Sequence, residues 1–211
     1  MIYNRQFETM PREDLAQLQI ERLQTTLNRV YRNVAFYKHA LDTHQIEIEN
    51  IRTLNEIKEL PFTTKEDLRI SYPYDMFALP LRDVVRIHAS SGTTGKPIVV
   101  GYSKNDILHW SELVARQLTA AGLTEHDVVQ IAYSYSLFTG GLGYHFGAEK
   151  IGASVIPASS HGNLRDQLVI MKDFKTSALL CAPSTALALA HVFSAMDIHP
   201  EQMHLKRGIF G

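Results

Sequence analysis

Four hydroxyls and a cation gather in one short stretch: Ser90, Ser91, Thr93 and Thr94 surround Gly92, and Gly95 and Lys96 follow. Such a loop can offer backbone N–H groups, hydroxyl donors and one positive charge to a polyphosphate. It is not the P-loop of kinases and GTPases. That motif needs Gly-x-x-x-x-Gly-Lys-Ser/Thr, whereas here Gly92 and Gly95 are three apart and Pro97 follows the lysine. Pro97 lacks an N–H and cannot sit inside a following helix. The flanks are β-branched (Val84, Val85 and Ile87 before, Ile98, Val99 and Val100 after), so a strand–loop–strand hairpin is predicted. An ordinary surface turn also uses Ser, Thr and Gly, and residue types alone leave both readings open.

A second cluster runs from Tyr133 through Ser134, Tyr135, Ser136, Leu137, Phe138 and Thr139 to Gly140, Gly141 and Gly143. It lies between a predicted strand and a predicted helix. In an open parallel sheet, ligands bind beyond the carboxyl ends of the strands. The glycines would let backbone approach a ligand, and Tyr135 and Phe138 could line a flat apolar pocket with one polar handle. Aromatic packing between helix and sheet explains the same residues. His145 reads as a helix-face histidine bonding its neighbours, with a wall of that pocket as the alternative, and Glu149 as a surface or helix-packing carboxylate.

The elements that must hold these clusters follow from periodicity. Leu15, Leu18, Leu23, Leu27, Val30, Val34 and Tyr37 recur at helical spacing after a start marked by Thr9 and Pro11. Residues 46–60 read as a polar connection. Thr63 and Glu66 are spaced as a capping box, as are Ser103 and Asp106 before the helical face of Ile107, Trp110, Val114 and Leu118. Trp110 is expected in the core. Beyond it, short apolar strands near 128–133, 153–157, 177–182 and 207–210 alternate with helices near 142–151, 164–174 and 184–196. The predicted class is therefore α/β: N-terminal helices over 1–83, then alternating β/α with a mainly parallel sheet over 84–211.

Composition sets outer bounds. Hydrophobic residues make up 45% and charged residues 20% of 211, an ordinary globular balance. A net charge of −1 gives no electrostatic case for nucleic acid or an anionic membrane. The lone Cys181 excludes an intrachain disulfide and sits in an apolar run, where a buried thiol is expected. His39, His44, His109, His126, His199 and His204 are scattered, so no metal site is expected. With no signal peptide or membrane span in view, a cytoplasmic protein is the expectation.

The order Ser-Ser-Gly-Thr-Thr-Gly-Lys-Pro resembles the phosphate loop of the adenylate-forming superfamily. Residues 138–149, Phe-Thr-Gly-Gly-Leu-Gly-x-His-x-Gly-Ala-Glu, closely resemble the phenylacetate–CoA ligase family within it. So do residues 61–68, the Gly152–Pro157 run, Pro183-Ser184 and 205–211. The resemblance covers roughly the last 150 residues and is weaker in the first helices. It implies the partial N-terminal domain of an adenylate-forming enzyme and a ligase reaction: ATP, a small aryl carboxylic acid and CoA give acyl-CoA, AMP and diphosphate, with Mg2+ required.

Residue by residue, the resemblance implies that Ser90, Ser91, Gly92, Thr93, Thr94, Gly95 and Lys96 hold ATP phosphates. Tyr135, Phe138, Gly140 and Gly141 would line the acid pocket, and Gly211 would stand at the edge of the adenine site. Lys96 is not the family's catalytic lysine, which belongs to a later lid domain. Ser134 and Ser136 replace the family's usual glycines, Ser160-His161-Gly162-Asn163 replaces its usual turn, and Thr185 replaces a tyrosine, so the acid pocket is expected to differ in shape. The adenine, magnesium and lysine motifs are missing. The apolar strand reaching Gly211 has no cap or polar tail, so a portion of a longer enzyme, inactive alone, is expected. The alternatives are a non-catalytic module that binds a nucleotide or partner, and an enzyme loading a carrier protein. A homodimer is a further expectation for the partners.

Overall fold

The computed structural model describes residues 1–211 except 91, 93, 94, 138, 160, 161 and 197. The chain divides into two compact units, Arg5–Lys104 and Met1–Asn4 with Asn105–Gly211.

The first unit begins with the short α1 (Arg5–Glu8) and α2 (Arg12–Asn33), which starts after Pro11 and carries Glu13 and Asp14 in its first turn, where the helix dipole favours acids. Its Ile20 and Leu27 pack with Leu41 of α3 (Ala35–Thr43) and with Ile48 and Ile51. The apolar stripe is thus shared by two helices. The break falls at Val34, which is extended (φ −124°, ψ 107°) yet 1% exposed. Nothing in the sequence marks it, because an apolar residue fits the stripe whether or not the helix continues.

Residues 46–60 also depart from expectation. They form two 3-10 turns, Ile48–Asn50 and Leu54–Glu59, and Ile48 and Ile51 are core residues rather than part of a polar connection. At α4 (Lys65–Ile70) the capping box is one residue later than predicted. Thr64 N–H donates to Asp67 at 2.7 Å and Asp67 N–H donates back to the Thr64 hydroxyl at 3.2 Å. Thr63 instead bonds Tyr37 through its hydroxyl at 3.2 Å. The unit ends in the predicted hairpin: β1 (Val84–Ala89) pairs antiparallel with β2 (Val99–Ser103), with Ala89 opposite Val99.

The second unit is an α/β sandwich. Its elements run α5 (Lys104–Ala120), β3 (Val128–Ile131), α6 (Gly140–Lys150), β4 (Ser154–Ile156), α7 (Leu164–Asp173), β5 (Ala178–Cys181), α8 (Pro183–Ser194) and β6 (Arg207–Phe210). The strands are all parallel, in the order β4–β3–β5–β6. Central strands covered on both faces read as near-continuous apolar runs; β5 is buried at every position, and β3 is apolar except for Gln130. Alternation sorts the faces. Val129, Ile131, Ala178 and Leu180 pack with Val114 and Leu118 of α5 and Ala148 of α6. Ala132, Leu179 and Cys181 pack with Leu168 and Met171 of α7 and Leu189 of α8. N-terminal helices followed by alternating β and α around a mostly parallel sheet is the class read from the sequence. No helix among the described residues is long and apolar enough to cross a membrane.

Candidate functional site

The strand order creates a divergence. From β3 the chain leaves through α6 towards β4, while from β5 it leaves through α8 towards β6 on the other side. Neighbouring strands whose outgoing connections part in this way leave a crevice beyond their carboxyl ends, the usual ligand position in open α/β sheets. The segment Ala132–Thr139 leaves β3 at this place.

Tyr133 reaches across β5 to the end of β6. Its hydroxyl donates to the Gly211 carbonyl at 2.9 Å and accepts the Gly211 N–H at 3.1 Å. Its ring stacks on Tyr144 of α6, with centroids 5.4 Å apart and 20° between planes. Burial, then the neighbouring Tyr144, raise the Tyr133 phenol pKa. The strand-end residue Gly211 and the post-β3 segment are thereby fastened together over 78 residues of sequence.

Tyr135 is half-buried two residues further on. Its hydroxyl lies 3.3 Å from Nδ1 of His145, and Nε2 of His145 lies 3.1 Å from Oε1 of Glu149. The Tyr135 and His145 rings meet edge-on, 5.8 Å apart. Burial, and then the Glu149 carboxylate, push the phenol up to about 12. The sequence offered one signal for this chain of contacts: His145 and Glu149 are four apart on a helix and so share a face.

The glycines divide by role. Gly140 opens α6. A Cβ on Gly141 would come within 2.7 Å of the Ser134 carbonyl oxygen and 3.3 Å of the Tyr135 ring, so Gly141 lets the segment fold back against its own helix. Gly143 admits Trp110 rather than a ligand: a Cβ there would stand 2.6 Å from the indole. Trp110 packs on the core as expected. Phe138 lies outside the described residues.

Behind the segment is a buried amide network. Gln130 Nε2 donates to Gln167 Oε1 at 2.7 Å, Thr176 donates to Gln130 Oε1 at 2.9 Å, and Gln167 Nε2 donates to the carbonyls of Ala158 and Ser159 at 3.1 and 2.8 Å. Ser159 N–H in turn donates to the Ile131 carbonyl at 3.0 Å. These bonds pin the turn after β4 to the end of β3, and no local sequence pattern marks either glutamine for this role.

The hydroxyl-rich loop belongs to the other unit. Ser90 closes the hairpin: its N–H donates to the Ile98 carbonyl and its Oγ accepts the Ile98 N–H, both at 2.9 Å. Gly92 and Gly95 have φ of +64° and +140°, backbone that L-residues rarely adopt. Gly95 N–H donates to the Gly92 carbonyl at 3.1 Å. Lys96 is exposed, its Nζ 5.7 Å from the centre of the Tyr72 ring, within cation–π range. Ser91, Thr93 and Thr94 lie outside the described residues. Among the described residues no three His, Cys, Asp or Glu side chains converge as a metal would require.

No family model matches the chain. It is 44% identical over 211 residues to the phenylacetate–coenzyme A ligase of Thermus thermophilus, covering all of this chain and 47% of that protein. It is 48% identical over 182 residues to the Escherichia coli phenylacetate–coenzyme A ligase, covering 86% of this chain and 41% of that one. The fold superposes on crystal structures of 2-hydroxyisobutyryl-CoA ligase. One, in complex with 2-HIB-AMP and CoA in the thioesterification state, gives a TM-score of 0.89 at 26% identity, covering 96% of this chain and 44% of that chain. An open conformation gives 0.87 at 23% identity, covering 95% and 45%. The chain matches phenylacetate–coenzyme A ligases along its whole length and resembles adenylate-forming ligases in structure, and it spans about half the length of the curated relatives it matches.

Proposed function

We propose that this chain forms the phosphate-loop and acyl-pocket part of an AMP-forming acid–CoA ligase of the phenylacetate–CoA ligase family. The observation that carries this is the coincidence of two things in one chain: 44% identity over all 211 of its residues to such a ligase, of which it covers 47%, and a hydroxyl-rich hairpin loop with two positive-φ glycines and an exposed lysine. The reaction has two steps. A carboxylate oxygen attacks the α-phosphorus of ATP, and the bond to the β-phosphate oxygen breaks, releasing diphosphate. The CoA thiolate then attacks the acyl carbon and expels AMP.

The first step brings an anion to a polyanion, so charge neutralisation and placement dominate its barrier. In this reading Ser90–Lys96 supply N–H groups, hydroxyls and a cation to the phosphates that leave. Tyr135, Phe138, Gly140 and Gly141 bound the acyl group, and Gly211 lies at the adenine edge. The acid is a small aryl carboxylate, supported by the aromatic character of residues 133–138. Mg2+ would accompany ATP, and no ligand for it is assigned to this chain. A cytoplasmic setting, where ATP and CoA are available, belongs to the same reading.

Valine at Thr93 and Thr94, made in the protein expressed from its complete coding sequence, tests the phosphate role. Each lost hydroxyl should slow adenylation about tenfold, the worth of one hydrogen bond to a charged group, and leave thioester formation from preformed adenylate nearly unchanged. Equal slowing of both half-reactions would contradict it.

A further inference from the structure

The chain Tyr135–His145–Glu149 is ordered by donor chemistry. A carboxylate only accepts, so the imidazole nitrogen facing Glu149, Nε2 at 3.1 Å, must carry hydrogen. In the neutral ring Nδ1 is then an acceptor, and the group facing it at 3.3 Å, the Tyr135 hydroxyl, must be the donor. The phenol has one proton. Once that proton is committed to His145, the oxygen can only accept from anything else that reaches it.

We propose that His145 and Glu149 are positioning residues that fix Tyr135 as a hydrogen-bond acceptor towards the acyl group, so that the site favours aryl acids carrying a hydrogen-bond donor, such as a ring hydroxyl, over isosteres lacking one. This rests on the acid-activating reading above. The energetic logic is asymmetric. An acid that cannot donate leaves the acceptor lone pairs of a half-buried phenol oxygen unmet while its proton stays on His145, and sites built around a polar partner discriminate far more strongly than apolar pockets do. A plain i, i+4 helix pair would do something different. With Glu149 about half exposed, it would add a few tenths of a kcal/mol to the helix and leave substrate preference untouched.

The experiment has two arms. On the 15N-labelled chain, imidazole nitrogen shifts report the His145 tautomer without any substrate. The expected result is hydrogen on Nε2, with Glu149→Ala mixing the two tautomers; a wild-type ring with hydrogen on Nδ1 alone overturns the proposal. In the protein from the complete coding sequence, ring-hydroxylated phenylacetates are compared with their fluoro isosteres, of similar size but unable to donate, by acid-dependent AMP release. At one ring position the hydroxyl acid should be preferred about tenfold in kcat/KM. Tyr135→Phe and His145→Leu should each erase that preference, His145→Asn, which keeps an acceptor near Nδ1, should restore part of it, and KM for ATP should not move. Activation of aryl acids with a ratio indifferent to His145→Leu would sink this inference and leave the proposed function standing. No AMP release with any acid would overturn the proposed function and this inference with it.

Discussion

Gln130, at the centre of the sheet, donates its side-chain amide to Gln167 of α7 at 2.7 Å, and both residues are almost wholly buried. A glutamine in the middle of an apolar sheet is tolerable only because each of its polar atoms is met: Thr176 supplies the other bond. Gln167 passes the constraint on to the Ala158 and Ser159 carbonyls. Replacing Gln167 by leucine, close in volume, removes the donor to two carbonyls and one acceptor from Gln130. Unsatisfied buried groups cost about 1–3 kcal/mol each, and the expected loss is about 2–3 kcal/mol in urea unfolding. A loss below about 0.5 kcal/mol, the scale of surface changes, would show that water takes over these bonds without penalty.

The contact of α5 with α6 makes a second prediction. Gly143 and Gly147 give α6 a bare strip on which Trp110 and Val114 rest. Alanine at position 143 raises helix propensity by about 1 kcal/mol, but its Cβ would stand 2.6 Å from the indole. Overpacking of about 1–3 kcal/mol should win. Gly143→Ala is therefore destabilising in the wild type and neutral or stabilising once Trp110→Leu has vacated the space. Equal effects in both backgrounds, measured by thermal unfolding, would refute this packing account.

Acid sensitivity follows from Asp127. Burial raises its pKa, but the Ser177 hydroxyl, the Thr124 N–H and the Arg207 guanidinium, at 2.7, 2.9 and 3.2 Å, outweigh it and hold the carboxyl below the usual range. A group with a depressed folded pKa stabilises the fold above its unfolded value, about 4, and loses that contribution as pH falls through the folded value. Asp42, Glu56 and Asp67 are also pulled down, by Lys38, by the Thr53 N–H and by the Thr64 hydroxyl respectively. The diagnostic quantity is hence a difference: Asp127→Asn should be less stable at neutral pH and should lose less on acidification below pH 4 than the wild type. Parallel acid limbs for the two proteins would contradict the assignment.

Cys181 lies in the fully buried β5, and burial pushes its thiol up to about 11. The thiolate is the reactive form. Maleimide or disulfide reagents should leave it unmodified in the native protein at pH 8 and label it at the rate of unfolding. Fast labelling without denaturant would place the thiol at the surface.

Much of the architecture was legible because β-branched runs and helical stripes repeat locally. The hairpin around Gly92 and the β/α alternation after Lys104 follow from such patterns. The break at Val34 was not legible, since no glycine or proline marks it. The capping box was misplaced by one because Thr63-Thr64 and Glu66-Asp67 offer two equivalent pairings, and only the geometry at Thr64 chooses. Long-range contacts were out of reach. The bonds of Tyr133 to Gly211 and of Gln130 to Gln167 depend on strand order, which no local pattern encodes. The His145–Glu149 pair was visible as spacing, but its bearing on Tyr135 required the turn that brings the segment back over α6.

The measurement that tests the central claim most directly is AMP release by the protein from the complete coding sequence, given ATP, Mg2+ and CoA, across a panel of carboxylic acids. The account predicts AMP and acyl-CoA in equal amounts, dependent on an aryl acid, with Tyr135→Ala reordering the acid preference while KM for ATP stays the same. AMP release that needs no acid, or an absence of acyl-CoA with every aryl acid tried, would contradict it.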